Sequence, residues 1–517
     1  MAEKGIRKWI VTITVIMASL LELIDTTIVN VSLPDIMGNL GATLDEVGWV
    51  VTAYAISNVV ILPMSGWLGE RFGRKNYFLF SIIVFTIASF FCGHATSLNE
   101  LILFRIIQGL AGGGLLSTAQ AILLEAWPPE EIGLATALFG LGAVVGPTVG
   151  PTIGGYINDH FSWPWIFYVN IPVGALASFL VVTFIRPTPA HGKNRPVDWW
   201  GIVLLAIAVG CLQTVLEKGE REDWFASTFI VVLTFISIVS GILFIWREMQ
   251  VADPVIDFRI LRYRSFTIGM FTSFILGLGL YGSVFVFPVL CQNILGFTAE
   301  QTGLLLLPGG LATIFMMPWV GAMLKNNVPA QFLATGGFLI FFLFCMQMVH
   351  YTTQASGTAD FFWPLIIRGL GMSLLFVPIT TLAVQELRGK DIGQGTGLNN
   401  MARQLGGSFG IALITTFLNR RIAFHRNRLI ENINPYNNLF TERYGLFMHG
   451  FQARGYDASI ASRMAYQAID GQLMRQTALL SYADVFWIVG LFFLVMIPLL
   501  YLQKFNRGTG MMPAGAH

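Results

Sequence analysis

Residues 10–32 read Ile10-Val-Thr-Ile-Thr-Val-Ile-Met-Ala-Ser-Leu20-Leu-Glu22-Leu-Ile-Asp25-Thr-Thr-Ile-Val-Asn30-Val-Ser32. A helix needs about 20 apolar residues to cross the ~30 Å hydrocarbon core of a bilayer. This stretch supplies them, with two carboxylates in its middle. Lys4, Arg7 and Lys8 precede it like the basic start of a signal peptide. No small-residue cleavage site follows and the acids break the apolar run, so it reads as an uncleaved first span. The same rule finds fourteen spans, the others near 47–66, 77–95, 101–124, 133–157, 165–185, 200–217, 225–246, 266–290, 302–324, 331–349, 361–385, 393–418 and 484–502.

Composition agrees. Of 517 residues, 55% are hydrophobic and 12% charged, and mean hydropathy is +0.66. A soluble protein carries about 25% charge, so this chain has too few charged groups to cover a water-facing surface of its size. The same numbers and a net charge of +2 exclude disorder, coiled coil and nucleic-acid binding. The 54 glycines suit closely packed membrane helices. Cys92, Cys211, Cys291 and Cys345 stand singly in apolar runs, without a disulfide or metal pattern, and no histidine sits in a metal-ligand spacing. No cofactor is expected.

With the N-terminus inside, the expected cytoplasmic segments hold 18 of the 31 lysines and arginines, and the short outside loops hold Lys218 and Arg221. Both termini are therefore expected in the cytoplasm. Eight further arginines lie in the outside segment 419–483, whose length exempts it from the rule. The half Asp457–Tyr482 reads as a helix with Ile460, Met464, Leu473 and Met474 near one stripe. It is either an amphipathic cap on the bundle or a docking surface. Arg105 with Gly109, Gly112 and Gly113 in span 4 is echoed by Arg368 with Gly369 and Gly371 in span 12. Two parallel six-helix halves explain the echo. The division is then 1–190 as an N-terminal six-helix bundle, 191–250 as a linker with two inserted spans, and 251–517 as a C-terminal bundle with the outside segment.

Five ionisable residues lie well inside spans: Glu22, Asp25, Arg105, Arg368 and Arg403. Each costs about 2.5–3.5 kcal/mol on insertion scales, so each reads first as functional and second as half of a helix–helix ion pair. Glu22 and Asp25, three apart, are expected to share a helix face. Burial and mutual repulsion favour proton uptake by such a pair, which is the chemistry of a proton-coupled carrier, with Arg105 as fixed counter-charge. No phosphate-binding G-x-x-x-x-G-K-[ST] loop is present. Gly277-Leu-Gly279-Leu-Tyr-Gly282 matches a dinucleotide fingerprint only in letters, since no strand precedes it. In span 5, Gly142, Gly146, Gly150 and Gly154 recur every four residues beside Pro147, Pro151 and Gly155, as in a tightly packed or flexing seam. After span 2, Gly66-Trp-Leu-Gly-Glu70-Arg71-Phe-Gly73-Arg74-Lys75 places one acid among three bases. It reads as positive-inside anchoring or as a breakable charge latch.

These residues carry a resemblance. The 66–75 segment resembles the loop signature G-x-L-a-D-R-x-G-R-K of the major facilitator superfamily. Arg105-Ile-Ile-Gln108-Gly109 resembles its R-x-x-Q-G, and Gly146 through Gly155 its antiporter signature G-x-x-x-G-P-x-x-G-G. Ile24-Asp25-Thr-Thr-Ile-Val-Asn30-Val-Ser-Leu-Pro34, Trp163-Pro-Trp-Ile-Phe-Tyr-Val-Asn170-Ile-Pro-Val-Gly174, Gly296 through Gly303 and Asn399-x-x-x-Arg403-Gln-Leu-Gly-Gly-Ser408 resemble signatures of the fourteen-span drug:proton antiporters. The long outside segment, with Asn434-Pro-Tyr-Asn437, and the Gly-Ala-His tail resemble the EmrB type of multidrug exporter. Glu70 replaces the signature Asp, Ala137 replaces a Gly, and Glu22 stands where the type has Gln.

The resemblance implies an all-α polytopic protein with the major facilitator fold, two six-helix bundles plus two extra helices, in a bacterial inner membrane. It implies proton-coupled multidrug efflux by alternating access, together with a periplasmic adaptor and an outer-membrane channel. Asp25 is expected to carry the proton, Glu22 to act as a second acid or read substrate charge, and Arg105 to tune both. Asn30, Asn58, Gln120, Tyr281, Gln292, Asn399 and Arg403 are the candidate cavity residues. The nearest rival is an exporter dedicated to one endogenous compound such as a fatty acid or siderophore. A membrane enzyme would need a nucleophile–base set or metal ligands, which the sequence does not offer. A non-transporting sensor with the same fold would build no substrate gradient.

Overall fold

The computed structural model describes residues 5–188, 197–251 and 253–501. Lys4, Lys193, Arg195, Lys504, Arg507 and the Gly-Ala-His tail, which entered the charge count or the resemblance, lie outside the described residues.

The first set of helices is α1 (Ile6–Leu40), α2 (Leu44–Val47), α3 (Trp49–Ile61), α4 (Ser65–Phe72), α5 (Arg74–His94), α6 (Leu98–Ala126), α7 (Ile132–His160), α8 (Trp165–Tyr168) and α9 (Asn170–Phe184). A hairpin of α10 (Trp199–Lys218) and α11 (Thr228–Gln250) follows. The second set is α12 (Arg264–Leu290), α13 (Ala299–Lys325), α14 (Ala330–Tyr351), α15 (Phe362–Val384), α16 (Lys390–Ile430), α17 (Asn438–Ala453) and α18 (Ala458–Leu500). No strand occurs among the described residues.

Among the described residues, twelve helices are long and apolar enough to cross a membrane, and the bent pair α3–α4 makes a thirteenth. The 59° bend falls at residues 62–64, where Pro63 supplies no backbone donor. The fourteenth span expected from sequence is α16. Asn399, Asn400, Arg403 and Gln404 make it too polar to count by composition, yet it packs along α12 and α18 within the bundle. A membrane helix can carry such residues where neighbouring helices cover them.

Glycines set the closest approaches. A Cβ on Gly109 would lie 2.6 Å from Tyr54 O, so α6 packs backbone to backbone on α3. A Cβ on Gly369 would collide with Gly309 O, so α15 packs likewise on α13. The echoed Arg–Gly motifs thus make matching contacts in the two sets. The period-four glycines of α7 face α1: Gly146 meets Leu23, Gly150 meets Thr27, and Gly154 meets Ile28.

The two sets meet most tightly at the rim where α1 begins. There Gly66 abuts the backbone of Gly393 and Gln394, Gly397 abuts Leu62, and Gly133 abuts Leu324. The α7–α13 seam continues to the far rim, where Thr152 meets Gly303. On the α3–α16 side the hairpin stands against both sets: Gly210 lies beside Ile56, and Gln213 Nε2 donates to Ser408 Oγ at 2.8 Å.

Segment 419–483 is not a separate loop. Most of it is α16 running on to Ile430 and α18 starting at Ala458, with α17 between. Arg421 Nε donates to Asp484 Oδ2 at 2.6 Å, and His425 Nε2 lies 2.6 Å from the same oxygen, so the two rods are braced where they leave the bundle. Asp457 caps α18, and the Ser459 hydroxyl and amide hold its carboxyl below the usual carboxylate range. The expected apolar stripe is shifted. Ala461, Ala465, Ile469 and Leu473 are the buried positions, Met464 is half-buried, and Ile460 and Met474 are exposed.

Candidate functional site

Asp25 lies wholly inside the first set. Arg105 Nη1 donates to its Oδ2 at 2.5 Å, while Gln108 Nε2 and Asn170 Nδ2 donate to Oδ1 at 3.0 and 3.1 Å. Both charges are sealed from solvent. Arg105 also donates through Nε to Val50 O at 3.1 Å and through Nη1 to Gln108 Oε1 at 2.7 Å, and its guanidinium lies 4.0 Å over the Tyr54 ring. Ser89 Oγ accepts from Gln108 and Asn170 and donates to Phe167 O. Burying an ion pair costs several kcal/mol per ion unless its lone pairs and protons are met; charge-assisted bonds from three helices meet them here.

Glu22 faces elsewhere. Its Oε1 accepts from Asn58 Nδ2 at 2.9 Å, and its Oε2 is buried without a partner. Gly112 lets the acid fit: a Cβ there would lie 3.0 Å from Tyr54 Oη, 3.2 Å from Asn58 Nδ2 and 3.4 Å from Glu22 Cγ. Across the bundle, Arg403 Nη2 donates to Asn400 Oδ1 at 2.6 Å, and the guanidinium lies 4.9 Å over the Phe376 ring. Asn400 Nδ2 in turn donates to Gln120 Oε1 at 3.0 Å and Ser117 Oγ at 3.3 Å on α6. The charges of Glu22 and Arg403 and the Tyr281 hydroxyl act on one another, and Asp25 acts on Glu22.

Asn58, Gln120, Asn399 and Arg403, expected for the cavity, are therefore buried near mid-depth, and Tyr281 is half-buried. Asn30 and Gln292 are exposed, the latter in a π-turn that ends α12. Gln108 and Asn170 were quoted as signature letters, yet they complete the Asp25 cage. Asn400, not among the expected residues, makes a buried bond between the two sets. Its position beside Asn399 in a polar run of an otherwise buried helix was the available signal.

The charged 66–75 segment lies where the two sets meet. Gly73 turns the chain at φ +84°, a conformation glycine adopts readily. Arg74 is buried, pairs with Glu125 of α6, and donates through Nη2 to Gly389 O of the second set at 3.1 Å. Lys75 Nζ caps α9 at Val182 O at 2.8 Å, and Arg71 stacks on Trp67. Glu70 is half-buried. A second brace was not foreseen: Glu131 accepts from Lys8 at 2.6 Å and from Lys325 of the second set at 2.9 Å.

Comparison with known proteins places this geometry. The family model described as Major Facilitator Superfamily matches residues 15–411. The multidrug export protein EmrB of Escherichia coli strain K12 is 33% identical over 521 residues, covering 99% of each chain. The fatty acid resistance protein FarB of Neisseria gonorrhoeae is 31% identical over 504 residues, covering 97% of each. Among solved structures, the human organic anion transporter MFSD10 shares the fold at 13% identity and a TM-score of 0.56, over 94% of this chain and 99% of that one. Two sets of helices in matching contact, the Arg105–Gln108 cage and near full-length likeness lead to one conclusion: the chain belongs to the major facilitator superfamily, among its EmrB-type exporters.

Proposed function

We propose that this protein is a proton-coupled multidrug antiporter that exports amphipathic or apolar small molecules by alternating access. It works in a bacterial inner membrane with both termini cytoplasmic, and passes substrate to a periplasmic adaptor and an outer-membrane channel. The observation that carries the reading is the caged Asp25, a carboxylate held deep in the bundle by Arg105, Gln108 and Asn170. A group so placed takes a proton only when its cage rearranges, which ties proton movement to conformation. Glu22 is the second acid. The rim closed by Gly66, Arg74, Gly133 and Glu131 is then the cytoplasmic one, and the state is shut toward the cytoplasm.

Energy suffices without a nucleotide or other cofactor. One charge falling through ~100 mV releases about 2.3 kcal/mol, and at about 1.4 kcal/mol per tenfold this sustains a gradient of roughly 40-fold for a neutral substrate. The test is transport of a dye panel in proteoliposomes under an imposed pH gradient, wild type against Asp25→Asn. Equal pH-driven transport by both proteins sinks the assignment of Asp25.

A dedicated exporter of fatty acids is the second reading. The buried cation Arg368, whose Nη1 has no partner among the described residues, and the likeness to a fatty acid resistance protein favour it. A resistance profile across unrelated drugs separates the two readings.

A further inference from the structure

The middle of the bundle holds an acid and a base that face each other from opposite sets of helices, each incompletely bonded. Glu22 of α1 is 3% exposed and Arg403 of α16 is 2% exposed. Glu22 Oε2 and Arg403 Nη1 have no hydrogen-bond partner, and no direct ion pair joins them although each charge acts on the other. Asn399, one turn before Arg403 on the same helix, is fully buried with both Oδ1 and Nδ2 unpartnered. A buried polar atom left unbonded costs about 1–3 kcal/mol, so such atoms are rare unless something binds them. Here they come from helices of both sets, with the Arg403 guanidinium over the Phe376 ring.

We propose that Glu22, Arg403 and Asn399 form a head-group site for zwitterionic amphiphiles, with the substrate cation on Glu22 and its anion on Arg403. The inference rests on the exporter reading above and narrows its substrate class. Coupling decides the charge type. In an antiporter, proton and substrate must displace each other. A substrate cation and a proton compete for the same oxygen, Glu22 Oε2: when the cation binds, the proton leaves, and the reverse exchange releases the cation outside. No bond within the substrate changes. A substrate with only an anion behaves oppositely. It binds Arg403 best when Glu22 is protonated, so proton and anion travel together, which is not exchange. A substrate with only a cation is repelled by Arg403. A molecule with both charges satisfies both groups, and each exchange moves one net positive charge inward. Asp25 and Tyr54, the other titratable neighbours on the Glu22 side, keep their bonds or positions within the first set; Tyr281 faces the pair from α12.

The test uses three dyes with one aromatic body: rhodamine 110 as the zwitterion, its methyl ester rhodamine 123 as the cation, and fluorescein as the anion. Binding to the purified full-length protein is followed by fluorescence anisotropy, and pH-driven movement in proteoliposomes. Wild type is expected to bind rhodamine 110 most tightly. Glu22→Gln should weaken both rhodamines roughly tenfold or more and spare fluorescein. Arg403→Gln should bring rhodamine 110 down to the level of its ester, and Arg403→Lys should restore part of the difference if the wild-type thermal transition is kept. An unchanged binding order in Glu22→Gln and Arg403→Gln overturns the site. The binding order thus decides the site, while loss of pH-driven movement with the order intact counts against the proton-coupled reading instead.

Discussion

At the scale of single residues, two carboxylates three positions apart lead different lives. Asp25 is caged with Arg105, and removing one partner of a buried pair costs about 3–5 kcal/mol because the other charge stays behind. Asp25→Asn is therefore expected to abolish pH-driven efflux and also to lower thermal stability, measured by unfolding in detergent. Asp25→Asn with Arg105→Gln should recover much of the stability and none of the transport. Glu22→Gln removes no ion pair and should leave the unfolding temperature near wild type; a drop as large as that of Asp25→Asn would contradict the geometry. That both acids were out of place was plain from residues 10–32 alone. Their different surroundings were not, because Asn58, Gln108, Asn170 and Arg403 come from four other helices. Spacing along one helix says which side a residue is on, never what waits there.

At the scale of elements, the glycine ladder of α7 was legible as a close-packed face, since four-residue spacing is the only information such a face needs. Its partner, α1, was not, because nothing in a run of small residues names the surface that fills it. The structure grades the rungs. A Cβ on Gly142 would rest 3.5 Å from Ile16, an ordinary contact, whereas one on Gly150 would collide with Thr27. Gly142→Ala is expected to keep wild-type efflux, and Gly150→Leu to lose most of it together with thermal stability, as read by dye efflux and unfolding on the same preparations. Wild-type efflux from Gly150→Leu would show that α1 and α7 do not stay packed. Because Gly142–Gly154 carry the first acid-bearing helix, the same contact holds Asp25 and Glu22 at their depth.

At the scale of the whole molecule, the near rim is held shut by contacts of two kinds: close backbone packing at Gly66 and Gly133, and charge bridges at Arg74 and Glu131. Surface bridges are individually weak, about 0–1 kcal/mol, so Glu131→Gln alone should barely shift the balance. Combined with Arg74→Gln, it should open the rim. Spin labels at Phe72 and Arg388 should then report a longer distance population than in the unmutated background, and an identical distribution would discount the bridges. The 66–75 signature marked a cluster of charges but not the partners of Arg74, Glu125 and Gly389; Glu131 was hidden because Lys8 and Lys325 lie far from it on either side in sequence. In the segment 419–483 the helix over 457–482 was legible from its spacing, whereas the run of α16 on to Ile430 was not, since its polar residues erase the hydropathy that marks a span. Replacing 427–469 with a short Gly/Ser turn should leave single-bilayer transport largely intact while resistance in cells with an outer membrane and adaptor pull-down both fall. Undiminished pull-down would place adaptor contact elsewhere.

The continuity of α16 has a mechanical consequence. Arg403 and Ile430 lie on one unbroken helix, and at about 1.5 Å per residue they are roughly 40 Å apart. The brace of Arg421 and His425 on Asp484 couples that rod to α18. The pair is a lever whose short arm is at Arg403 and whose long arm runs past the brace, away from the bundle. A tilt of ~10° at the centre sweeps the tip by roughly 7 Å, more than one helical turn. Whatever holds the tip therefore feels each stroke at the centre, and a clamp on the tip brakes it.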